Sequence, residues 1–147
     1  MKQVIAEYAD HVQVRVHFLA LPYHTWGFIL TKYILGVKTI SEAKARDLIN
    51  ALFTGDQKLF MNDPLSNYTQ PQVIEYVADY ISTKFSIEKA TLMDEFKKSE
   101  LNARIEFKYA ASHGVAGTPT IFVNGAEVLF DEITIEAWRK ILDPLLN

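Results

Sequence analysis

Between residues 12 and 18 the chain alternates strictly: Val12, Val14, Val16 and Phe18 are separated by Gln13, Arg15 and His17. Successive side chains on a strand point to opposite faces, so a period of two predicts a strand over 12–19 with one apolar face. This constrains the fold more than any other feature. A helix satisfies its own backbone, whereas a strand needs a neighbour. Pro22 stops the pattern, since proline has no N–H to give a ladder. Period two returns only near the other end. Residues 119–123 form a short apolar run, Asn124-Gly125 is a strong two-residue hairpin signal, and 126–130 read as the returning strand.

Helical spacing governs the remainder. The first ten residues read as a short helix carrying Val4, Ile5 and Tyr8. From His24 to about Leu35, Trp26, Ile29, Leu30 and Tyr33 share one side. Ser41 is placed to cap a helix striped by Ala45, Leu48, Ile49, Leu52 and Phe53, which Gly55 ends. Residues 62–67 are a loop by composition. Thr69 and Gln72 have capping-box spacing ahead of Val73, Val77 and Ile81. A further helix from about residue 99 carries Leu101, Ile105 and Tyr109 and ends at Gly114. Thr134 caps a last helix, with Ile135, Trp138, Ile141, Leu142 and Leu145 expected inward. The order helix, strand, several helices, hairpin, helix predicts an α/β fold. It reads as one domain over 1–147, with an all-helical insertion spanning about 24–112.

Composition narrows the function classes. At 147 residues and 49% hydrophobic, one core is the expectation, burying about 70% of the surface of the unfolded chain. The net charge of -3 comes with no basic stripe, so the electrostatic footprint of a nucleic-acid binder is missing. There is no cysteine, which removes disulfides, thiolate catalysis, iron–sulfur clusters and cysteine-based zinc sites together. The most apolar stretch, 18–37, is interrupted by Pro22, His24 and Lys32; a spanning helix needs about 20 mostly apolar residues, so no membrane partner is expected. The opening Met1-Lys2-Gln3-Val4-Ile5-Ala6-Glu7 has neither the apolar core nor the cleavage site of a signal peptide.

His113-Gly114-Val115-Ala116-Gly117-Thr118-Pro119-Thr120-Ile121-Phe122-Val123-Asn124-Gly125 is the most informative stretch. It resembles the cis-proline loop and following hairpin of the thioredoxin superfamily, in its DsbA-like branch. The strand at 12–19, the Pro22-Tyr23-His24 segment, the helical insertion and the closing helix with Trp138 extend the resemblance over nearly the whole chain. It implies a thioredoxin-like α/β fold and ancestry among thiol–disulfide oxidoreductases. It also implies a peptide-binding site at Gly117, Thr118 and Pro119, where the backbone of Thr118 would pair with an extended peptide. Independently of the family, X-Pro is where a cis bond is cheap, and Gly117 would supply backbone freedom before the turn.

The family's Cys-x-x-Cys and the strand before it have no counterpart here, and Met1 falls where the family is already inside the redox helix. The chain is therefore expected to bind an extended peptide or protein without redox chemistry. Two alternatives follow from the same resemblance. One is a fragment of an active DsbA-like oxidoreductase whose cysteines lie upstream; the other is a relative of kappa-type glutathione transferases, for which this chain supplies no activating Ser or Cys. The absent strand would lie between 12–19 and 120–123. An unpaired edge left there predicts a marginal monomer or a homodimer through that edge.

No other constellation carries chemistry. His11, His17, His24 and His113 lack the spacing of a metal pair. His24 is expected in the first turn of a helix, packing or bordering the groove, and His113 could line the same groove. Glu127, Asp131 and Glu132 read as solvated surface, and no glycine pattern cradles phosphate. Neither a metal nor a cofactor is expected.

Overall fold

The computed structural model describes residues 2–146. Among them are seven α-helices and a single two-stranded antiparallel sheet. The protein is mainly helical, which overturns the expected thioredoxin-like α/β fold. The segment that should have been the first strand has no regular structure: residues 12–20 form neither helix nor ladder. The reason is the one that made the segment so constraining. Alternation creates a strand face, but only a neighbouring backbone makes a strand, and no described residue offers one.

The chain divides into two compact units: residues 18–116, and the two chain ends up to His17 and from Gly117. The larger unit is wholly helical. It holds α2 (Gly27–Ile40), α3 (Glu42–Phe53), a 3-10 turn at Asp56–Phe60, α4 (Gln70–Phe85), α5 (Lys89–Lys98) and α6 (Glu100–Ser112). α2 is its hub, touching each of the other four helices. Val73, Val77 and Ile81 of α4 and Ala45, Leu48 and Leu52 of α3 are buried together with Tyr33 and Val37 of α2. The Tyr33 ring stacks on Phe96 with centroids 4.4 Å apart. Its hydroxyl donates to the Ile74 carbonyl at 2.7 Å, so the buried polar tip is satisfied. Burial raises the pKa of that phenol, with Glu75 and Asp79 adding to the effect.

The caps follow the sequence. The Ser41 hydroxyl accepts from the Lys44 N–H at 3.4 Å, and the Gln72 side-chain oxygen reaches back to the Thr69 N–H at 2.8 Å. Gly55, at φ 138°, occupies a conformation that a side chain would strain. α5 carries no predicted counterpart. Its one apolar stripe is the Leu92–Phe96 pair on an otherwise charged helix, and its start is capped by the Glu88 carboxylate, which accepts from Ala90 and Thr91 N–H.

α6 is present with its faces exchanged. The apolar stripe that the sequence shows is exposed, Leu101 at 66%, Ile105 at 53% and Tyr109 at 45%, while Ala103 and Ala110 are buried. Two alanines seven residues apart let this helix lie close to its neighbours, and close packing outweighs the larger side chains opposite. At its start Glu100 receives Lys32 at 2.8 Å. That lysine, which interrupts the apolar stretch of α2, also lies 4.0 Å over the Phe96 ring. No helix among the described residues is long and apolar enough to cross a membrane.

The smaller unit joins α1 (Lys2–Glu7), β1 (Ile121–Val123), β2 (Ala126–Val128) and α7 (Ile135–Leu142). Val4 and Tyr8 interleave with Trp138 and Leu142, each pair four residues apart, and these four are its buried core. Around them Arg139 grips Glu7 through two parallel bonds of 2.7 and 2.8 Å, and the Tyr8 hydroxyl donates to Asp143. The Thr134 hydroxyl caps α7 by accepting from the Ala137 N–H at 3.2 Å. Leu145, expected inward, is exposed.

Candidate functional site

The hairpin forms where the sequence placed it. Asn124 and Gly125 have φ of 49° and 85°, the pair of positive angles that a tight two-residue hairpin turn requires. They bring Val123 opposite Ala126, Phe122 opposite Glu127 and Ile121 opposite Val128. The returning strand stops at Val128 rather than 130, and residues 129–134 turn away into α7.

That departure opens a cleft of about 130 Å³ beside Pro119. Its floor is the hairpin itself, through Ile121 and Val128, and its walls are Pro119, Thr120, Leu129 and Ile133. Glu127 is the one charged residue lining it among the described residues. The chemistry is that of a small slot of mixed polarity with a carboxylate in its lining, sized for one side chain of a ligand and hostile to an anionic one.

The Thr118–Pro119 bond is cis. The Thr120 hydroxyl donates to the Gly117 carbonyl at 2.8 Å and closes the loop over the proline. Among the described residues neither backbone polar group of Thr118 bonds to another backbone group. Thr118 is exposed and directly precedes Pro119, which lines the cleft. Gly117 plays a smaller part than expected. Its φ lies outside the left-handed region, and a Cβ built there meets nothing within 4 Å, so neither turn geometry nor close approach demands glycine.

The two histidines assigned to the groove lie in the helical unit and do not line this cleft. His24 is exposed in the turn before α2, not in its first helical turn, with its ring 4.9 Å from that of Tyr23. His113 follows the last turn of α6. Its Nδ1 lies 2.8 Å from the Tyr109 carbonyl and 3.3 Å from the Ser112 hydroxyl, and the Tyr109 and His113 rings are 4.3 Å apart. Among the described residues no three His, Asp or Glu side chains gather as metal ligands would.

Leu129 and Ile133 are the cleft residues that sequence reasoning missed. Their signal was weak but legible: with Phe130, which also lines the cleft, they are large apolar residues flanking Asp131 and Glu132 directly after a hairpin. Glu127 was noticed only as solvated surface. No family model, curated protein or solved structure matches this chain.

Proposed function

We propose that this chain is a binding module for an extended peptide, held along the Thr118 backbone with one side chain seated in the cleft beside Pro119. The cleft carries the reading: an open slot of mixed polarity next in sequence to Thr118, whose backbone N–H and carbonyl make no backbone bond among the described residues. Main-chain pairing supplies affinity with little demand on sequence, and a neighbouring pocket supplies selectivity. The resemblance of residues 113–125 to a loop that pairs with extended peptides supports the same reading. A chain without cysteine contributes binding there and no dithiol turnover.

Because Glu127 is the only charge lining the cleft among the described residues, peptides placing Lys or Arg beside an apolar residue are expected to bind best, and acidic ones worst. Fluorescence anisotropy with a panel of labelled extended peptides tests this. Ile133→Trp, which fills the slot, should weaken the best peptide about tenfold, roughly 1.4 kcal/mol. Glu127→Lys should reverse the charge preference. Saturable binding that ignores both substitutions would overturn the assignment, as would the absence of any binding across the panel.

A further inference from the structure

Residues 12–16 carry the strongest strand pattern in the chain and are not in a strand. Val12 is half-buried against the core of the smaller unit, but Val14 is 38% and Val16 54% exposed. The Val12 N–H still donates to the Tyr8 carbonyl at 2.9 Å. Among the described residues, no backbone N–H from Gln13 to Val16 donates to a backbone carbonyl. A row of unused donors and acceptors on a β-branched segment is a template for another strand.

We infer that a second copy of this chain occupies it, through antiparallel pairing of residues 12–16 about a two-fold axis at Val14. The segment is self-complementary in this register and poorly so in its competitors. With Val14 opposite Val14, Val12 meets Val16 and Gln13 meets Arg15. The last pairing is one that the chain already makes within itself, where Arg15 Nε donates to Gln13 Oε1 at 3.0 Å. Centring the axis on Arg15 would set two guanidinium groups directly opposite, and so would parallel pairing in register; like charges in that position destabilise a sheet. A slip of one residue would set every valine opposite a polar side chain and turn the apolar set to the wrong face. A two-fold contact of this kind is isologous, each copy contributing the same segment and the same edge.

The chain has no native cysteine, which makes the register directly readable by single substitutions. Opposed Cα atoms in an antiparallel pair lie about 4.5–5.5 Å apart, within reach of a disulfide. Val14→Cys should therefore yield a disulfide-linked dimer under mild oxidation. Val12→Cys and Val16→Cys should each stay free of cross-links alone, because like positions would be about 14 Å apart along the strand, yet should cross-link when mixed. Sedimentation of the unsubstituted chain should show mass doubling as concentration rises, and Val14→Pro should abolish it with the helical circular dichroism unchanged. No cross-link at Val14, equal cross-linking at all three positions, or preferential cross-linking of Val12→Cys or Val16→Cys alone would overturn the inference. So would a concentration-independent monomer, or dimerisation that survives Val14→Pro.

Discussion

The helical unit and the smaller unit meet the same physical requirement by opposite routes. In residues 18–116 each helix satisfies its own backbone, so packing alone decides the arrangement, and sixteen buried residues form one core. In the smaller unit four buried residues do that work. They are contributed by a six-residue helix and the turn that follows it at one chain end and by an eight-residue helix at the other. Its sheet is two three-residue strands, below the size at which a hairpin is stable on its own. The difference teaches where binding is affordable: the sites with unused backbone, at Thr118 and at residues 13–16, both fall in the unit with the thin core. Such regions open at lower free energy than densely packed ones.

The sharpest way to break this comparison is to damage one core and watch the other. Trp26 packs on the helical core and Trp138 lies in the small one, so in a Trp26→Phe background indole fluorescence reports the smaller unit while far-ultraviolet circular dichroism reports mainly helices. Leu48→Ala, at a fully buried site of α3, should cost the helical transition about 3 kcal/mol in denaturant. The Trp138 transition should precede it and stay where it was. Coincident transitions that move together would mean that the two units unfold as one.

A smaller effect sharpens the account of the helical unit. Gly36 is inside α2, where alanine should add about 1 kcal/mol of helix propensity. A Cβ there would lie 3.2 Å from the Glu95 carbonyl carbon and 3.3 Å from the Phe96 nitrogen, and backbone at that distance cannot rotate away. Overpacking of about 1–3 kcal/mol should win. Gly36→Ala is therefore expected to destabilise by about 1 kcal/mol net, read from the same denaturation curves. A stabilised variant would show that the approach of α5 to α2 is looser than described.

The smallest effect is confined to the smaller unit and to alkaline pH. The hydrogen bond to Asp143, with burial, pushes the Tyr8 phenol up from 10.0 to about 12. A raised pKa favours the protonated form in the folded state, so this contribution is complete below pH 10 and is lost as pH rises through about 12. Between those values the Trp138 transition should weaken, and Tyr8→Phe should flatten that slope. An equally steep decline in Tyr8→Phe would assign it to other groups.

Much of the local structure of both units was legible in the sequence. The Val73–Val77–Ile81 and Ala45–Leu48–Leu52 stripes, the caps at Ser41 and Thr134 and the turn at Asn124-Gly125 depend on neighbours a few residues away. α5 escaped because only Leu92 and Phe96 mark its face, and a salt-laced surface helix has little periodicity to read. At the candidate site, Thr118 and Pro119 were named from the loop sequence, whereas Leu129 and Ile133 were not, because a cleft exists only once the chain turns away from the hairpin.

What the sequence by itself determined is therefore local: which segments are helical, where they are capped, where the hairpin turns, and that a chain without cysteine has no thiol chemistry. Tertiary structure decided which face of α6 is inside and whether an alternating segment becomes a strand. It turned Ala103 and Ala110 of α6 inward in place of Leu101, Ile105 and Tyr109. It left residues 12–16 outside any sheet, although their alternation is the most regular in the chain. Helices carry their hydrogen bonds within a single stretch of sequence, so spacing reveals them; a strand borrows half of its bonds from a partner, and only the folded molecule shows whether that partner is there.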